Sequence, residues 1–259
     1  MTIATRLNPL YDVKLIVDGR QHFYQIGADE KWHPGVTTAL GMINKPALIP
    51  WAAKMVSENI KEALMEHWAT PGTEDRDKQH LSKEQIERIC LEGKNIYKKK
   101  SQAAADVGTR AHKAIDLILH GEPYQLDDDI KIPVEAFLDW KGRQTLTFEL
   151  GDTRIGSRLF GYGGSLDMVA FDGNEAILID LKTSNGIYPE MGYQIGAYSQ
   201  AFKETYGIEV KEAMILRIGK DKPEFEVKKV GNISACLEGF LAALKLYQLS
   251  KWQIFEEVI

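Results

Sequence analysis

The densest pattern of apolar and polar positions lies between Phe160 and Ser184. Ser165–Phe171 is apolar and β-branched, Asp172-Gly173-Asn174-Glu175 is turn chemistry, and Ala176–Leu181 is a second apolar run. Two such runs around a tight turn predict an antiparallel hairpin. With Gly173-Asn174 as the loop, the register sets Asp167 directly opposite Asp180, on one face, with Cβ atoms about 4.5–5.5 Å apart. An Asp172-Gly173 loop moves the pairing by two and keeps both on that face. A three-residue loop splits them across the sheet.

The rest of the chain reads around this hairpin. Tyr11–Val17 and Gln21–Ile26 flank Asp18-Gly19 as an earlier hairpin, and Thr37 or Thr38 can cap a short helix through Ile43. Pro46 opens a longer helix whose stripe is Leu48, Trp51, Ala52, Met55, Ile60, Leu64 and Trp68. Thr70–His80 is polar and turn-rich, a surface loop. Ser82 and Gln85 form a capping-box start for a helix past Ile96, and Asp106 can cap a separate helix, Val107–His120, ending at Gly121. Ile130–Thr145 is a further helix interrupted near Pro133, and Thr147–Leu150 and Thr153–Leu159 are strand-like. After the central hairpin, Pro189-Glu190 starts a helix, and Val210–Ile218 and Glu224–Val230 alternate as strands. Ile233–Trp252 is an amphipathic helix.

Composition narrows the function without naming it. The 259 residues can bury a substantial core, and 44% hydrophobic with 27% charged residues is ordinary for a soluble globular protein. A net charge of −5 makes any nucleic-acid surface local. Two cysteines, Cys90 and Cys236, cannot supply the four thiolates of an iron–sulfur cluster or a structural zinc site. With no secretory leader they suggest a reducing, cytoplasmic setting. No apolar run approaches the roughly 20 residues that span a bilayer, so no membrane partner is expected. No P-loop motif is present.

The candidate chemistry sits on the hairpin. Opposed carboxylates repel, and strands this apolar are buried on at least one side, so positive charge is expected between them. Lys182 shares the face of Asp180 one step along. Two carboxylates and an ammonium at a sheet edge suit a divalent ion, magnesium or manganese. On the helix before, Gly108, His112, Ile115 and Leu119 share a stripe, so His112 points to the core side and Gly108 permits close backbone approach. Between Lys94 and Lys113 stand Lys94, Lys98, Lys99, Lys100, Arg110 and Lys113 against one acid, Asp106, which is either a solvated helix face or, in an acidic protein beside a metal site, a phosphate-facing patch. Gln194 and Tyr198, at i and i+4, can bind phosphate or orient the lysine.

The order of these pieces resembles the RecB-type branch of the PD-(D/E)XK nuclease superfamily. They stand as Gly108-Thr109-Arg110-Ala111-His112, Gly164-Ser165-Leu166-Asp167, Ile179-Asp180-Leu181-Lys182 and Gln194-Ile195-Gly196-Ala197-Tyr198. The V-T-T-x-L stretch and the Pro-Ala-Leu-Ile-Pro-Trp segment near the start also look like stand-alone phage-type exonucleases, and more distantly like mitochondrial genome maintenance exonucleases. The resemblance implies an α/β (α+β) fold: an αβββαβ core at 106–259 with a mixed central sheet flanked by helices. Residues 1–105 would then be a hairpin-and-helix region, a possible DNA-guiding lid. It implies His112, Asp167, Asp180 and the Leu181 carbonyl as ligands of one or two Mg2+ or Mn2+ ions, and Lys182 orienting or helping to deprotonate the attacking water. Gln194, Tyr198, Lys98, Lys99, Arg110 and Thr109 would meet DNA, and Glu149 sits where some relatives carry a further acid. Relatives with iron–sulfur clusters need four cysteines, so no such cluster is expected.

The expected activity is metal-dependent hydrolysis of DNA from single-stranded or frayed ends. It would serve phage-type recombination, replication or repair, in a host cytoplasm if phage-encoded, with a single-strand-annealing or recombination protein as a possible partner. A structure-selective endonuclease or junction resolvase on the same core, and a non-catalytic DNA-binding subunit, are the rival readings.

Overall fold

The computed structural model describes residues 7–18, 21–69 and 80–252. Except for His80, the expected loop Thr70–His80 lies outside the described residues, as does Gly19 of the first turn. In chain order the elements are β1 (Val13–Asp18), β2 (Gln21–Ile26), β3 (His33–Pro34), α1 (Val36–Leu40), α2 (Leu48–Ala69), α3 (Lys83–His120) and α4 (Asp128–Gly142). There follow β4 (Thr147–Ser157), β5 (Tyr162–Asp172), β6 (Glu175–Lys182), α5 (Pro189–Tyr206), β7 (Val210–Ile218), β8 (Phe225–Lys229) and α6 (Ile233–Leu249).

The fold is mixed α+β. One sheet runs β4-β5-β6-β7-β8, antiparallel except that β6 and β7 are parallel and joined through α5. The expected αβββαβ order is present as α4-β4-β5-β6-α5-β7. β5 and β6 pair from Asp172↔Glu175 to Met168↔Ile179, so the loop is Gly173-Asn174, and Gly173 takes a φ of +58°. Leu166, Val169 and Leu178 from the sheet form one core cluster with Ile195 and Phe202 of α5 and Phe240 of α6. Near the other end of the sheet the Trp140 ring of α4 meets Phe148 of β4 edge-on at 5.8 Å. A smaller sheet, β1-β2-β3, adds its buried Tyr24 and Ile26.

The described residues form two compact units: those up to Ile43 together with those from Gly108, and Asn44–Val107. The described residues up to Ile43 therefore group with the sheet, not with the helical region, because Val36, Ala39 and Leu40 lie inside the same core cluster. The second unit contains α2 and the first part of α3, and Ile60 packs over Gly93. The capping box is present: Ser82 N–H donates to Gln85 Oε1 at 2.7 Å, and Gln85 N–H to Ser82 Oγ at 3.2 Å.

Besides α4, which runs unbroken through Pro133 instead of being interrupted there, three local expectations fail for identifiable reasons. Asp106 caps nothing, since α3 is continuous and Asp106 Oδ1 accepts from Gln102 Nε2 at 2.8 Å one turn back. Gly35, not a threonine, is the N-cap of α1, because Thr38 Oγ1 donates instead to the His22 carbonyl at 3.2 Å. Residues 147–157 form one strand rather than two, its break absorbed by a bulge between Phe148 and Leu150 and by Asp152 at φ +34°.

Candidate functional site

The site is a gap along the edge of β5. β6 leaves that edge after Met168↔Ile179, and further along Gly35 bridges Gly163 in parallel. Residues 164–167 lie between. Glycine is required at both positions next to the bridge: a Cβ on Gly163 would fall 2.3 Å from Tyr24 Cγ, and one on Gly164 would fall 2.4 Å from Tyr198 Cε1. Two aromatic rings thus wall the gap, and Tyr24 OH and Ser165 Oγ share a hydrogen bond of 3.3 Å.

The register that pairs Met168 with Ile179, carried one step on, sets Asp167 opposite Asp180. Here a side chain replaces the ladder: Leu181 N–H donates to Asp167 Oδ2 at 2.9 Å. Asp167 Oδ1 accepts from His112 Nδ1 at 3.1 Å, an ionised carboxylate being acceptor only. Gly108, one turn before His112, lets α3 approach, because a Cβ there would stand 2.8 Å from Thr183 Oγ1. Asp180 is 1% exposed; Lys182 Nζ lies 2.5 Å from its Oδ2, and Oδ1 has no hydrogen-bond partner. His112 and Asp167 keep 31% and 24% side-chain exposure, so approach to the pair is from their side.

These groups titrate against one another. Burial pushes Asp180 up to about 6; the Asp167 charge adds to this, and Lys182 only partly opposes it. Burial also works against ionising Asp167, but the charges of His112 and Lys182 and the hydrogen bonds from His112 and Leu181 outweigh it and hold it below the usual carboxylate range. Burial opposes charge on His112 and Lys182 as well, yet the two carboxylates hold both above their ordinary values. Neighbouring acids pushed apart in this way, one ionised and one poised, mark places built for chemistry more often than for stability.

The remaining expected residues divide. Gln194 Nε2 donates to Tyr198 OH at 2.8 Å, and Tyr198 is buried, with burial and then the charges of Asp180 and Asp167 holding its phenol well above its usual value. Arg110 is instead engaged by Asp127 at 3.0 Å and by Asp129, so it ties α3 to the start of α4. Glu149 occupies the β4 bulge beside Val169 and Ala170, not the level of Asp167. Thr109 is exposed on α3, and Lys98 and Lys99 are exposed in the helical unit, Lys98 near the Tyr97 ring at 6.0 Å. Tyr24, Ser165 and Thr183 were not foreseen; the Gly163-Gly164 pair was the signal that bulky groups close in there.

Among the described residues no three His, Cys, Asp or Glu side chains already form a ligand set. His112 is committed to Asp167, and Lys182 to Asp180. What fits a cation is the unfilled, buried Oδ1 of Asp180 next to a second carboxylate.

No family model matches the chain, and no curated protein matches it. Among solved structures, the crystal structure of SSO0001 aligns at 15% identity and a TM-score of 0.32, covering 77% of this chain and 88% of that one.

Proposed function

We propose that this chain is a divalent-metal-dependent deoxyribonuclease that hydrolyses phosphodiester bonds from strand ends. One observation supports the reading most: the gap in the β5 edge holds the orphaned, buried Oδ1 of Asp180 beside Asp167. A carboxylate hidden from water with an empty acceptor is costly unless a cation completes it. Magnesium or manganese suits oxygen acceptors with one imidazole nearby, and Asp167, Asp180, the Leu181 carbonyl and His112 would hold it. When bound, such an ion acidifies water and stabilises charge on the attacking and leaving oxygens.

The chain's own groups supply positioning. Leu181 N–H and His112 hold the two oxygens of Asp167 in place. Lys182, kept protonated by the acids beside it, donates from Nζ and offsets the charge that builds on the phosphate. Gln194 occupies a lone pair of the Tyr198 oxygen and leaves the phenolic hydrogen to donate.

The test uses end-labelled linear DNA, single- and double-stranded, beside covalently closed single-stranded circles, with magnesium, manganese or chelator. Linear strands should be shortened only with metal, and circles should survive. Cut circles would move the reading to a structure-selective endonuclease. Binding that ignores chelator, with no cleavage under any condition, would leave a DNA-binding subunit.

A further inference from the structure

Arg158 stands, exposed, in the turn between β4 and β5. Its guanidinium carbon lies 4.0 Å from the centre of the Tyr11 ring, and among the described residues it has no carboxylate partner. Below it the chain turns through Gly27 at φ +63°, where a Cβ would fall 1.9 Å from Arg158 Nη2. The loop is shaped around the guanidinium. Beside it opens a cavity of about 370 Å³ lined by Ile26, Ala28, Asp29, His33 and Arg158. The one acid there is already answered: Asp29 Oδ2 lies 3.0 Å from His33 Nε2, and its Oδ1 accepts from Lys31 N–H at 2.9 Å. Asp29 is thus engaged by His33 and Lys31, and the Arg158 guanidinium faces the same cavity without a carboxylate bound to it.

We infer that this cavity is a phosphate-docking subsite for the DNA strand processed at Asp167 and Asp180, with Arg158 as its donor; the inference rests on the nuclease reading. A planar fork of N–H groups matches two phosphate oxygens at once, and stacking on Tyr11 holds that fork in one orientation before the ligand arrives. A cavity of this size takes a phosphoryl group with its water or a small part of a nucleotide. It is placed for such a role, because β5 leads directly from this turn to the acidic pair. Five residues at about 3.3 Å each separate Tyr162, the first residue after this turn, from Asp167, roughly 17 Å of strand. Arg158 is not among the groups that set the charge of Asp167, Asp180 or Lys182, so it affects how the strand is held, not how its bond is broken.

The experiment is an anisotropy titration of the full chain in chelator, using dye-labelled single strands with and without a terminal phosphate, over about 50 to 200 mM salt. Arg158→Ala should weaken binding several-fold at the low-salt end and flatten the plot of log affinity against log salt by about 0.7. Arg158→Lys should keep the slope and bind less tightly than the parent, since charge remains and the fork is lost. A defect confined to the phosphorylated strand assigns the cavity to a terminal monoester, and one on both strands assigns it to a backbone diester. A merely structural contact with Tyr11 would lower Tm and leave the salt slope untouched, which would overturn the inference. Unchanged affinity and slope in Arg158→Ala, with a parent that binds and cleaves, would overturn the subsite alone. A parent that neither binds nor cleaves DNA overturns the nuclease reading and the subsite with it.

Discussion

Two helices of similar length live in opposite surroundings. α5, 18 residues long, buries ten of them, from Met191 to Tyr206; α2, 22 residues long, buries none. α2 exposes Leu48, Ile49, Met65 and Trp68 and leans on local pairs such as Lys54–Glu58 at 3.6 Å. α5 seals one face of the sheet and sets Tyr198 against Gly164. Periodicity alone starts both helices, but only a packed one removes enough water to perturb an acid. The chemistry proposed here centres on Asp180, which is 1% exposed, with Asp167 and His112 left open on one side.

The largest effect expected on that contrast is catalytic. Asp180→Ala or Lys182→Ala should lower the cleavage rate on the order of 10²–10³-fold or more, with a single cooperative unfolding transition retained. Trp68→Ala in the exposed helix should leave the chemical step intact. Full activity in either site variant would separate the buried pair from the reaction. In urea unfolding, Phe202→Ala in α5 should cost about 3–5 kcal/mol, while Met65→Ala in α2 stays within about 0.5 kcal/mol. Comparable losses would mean that α2 is packed after all.

A pH series sharpens the same contrast. Asp180 titrates at about 6 in the folded chain against 3.8 ordinarily, so its ionisation opposes folding. The penalty is absent below about pH 4, grows as pH rises to 6, and is at most about 3 kcal/mol at pH 7. In chelator, the stability of Asp180→Asn relative to the parent should therefore improve between pH 4 and pH 7. A difference independent of pH would show that the buried acid carries no such penalty. Gly108→Ala should reduce cleavage about tenfold by pressing on Thr183, a barrier change of about 1.4 kcal/mol. Adding Thr183→Ala should restore it, and a double variant no better than the single would mean that this close approach does not set the rate. Smallest, Ser82→Ala should remove about 1 kcal/mol from the start of α3, seen as faster amide exchange there and unchanged exchange in α5.

The hairpin was legible from two apolar runs around turn residues, but three loops were open to it, and only the Gly173-Asn174 loop the chain adopts decides which acids face each other. Gly108 and His112 were legible from their shared stripe. Arg110 was not: its partners Asp127 and Asp129 lie beyond the end of its own helix, so its basic neighbours suggested phosphate where carboxylates already sit. The continuity of α3 was hidden because an aspartate can either cap a helix or pair along it, and Gln102 decides the matter. Docking of the described residues up to Ile43 depends on contacts with β5, such as the Gly35↔Gly163 bridge, that no local pattern encodes.

The Gly35↔Gly163 bridge has a consequence in time. On the ribosome the first hairpin is complete long before the backbone it will rest on exists. At about 5–20 residues per second, roughly 6–25 s pass between the two glycines. Throughout that interval Tyr24 and Ile26 lack the strands that will cover them, since Gly156 and Gly163 have not yet been made.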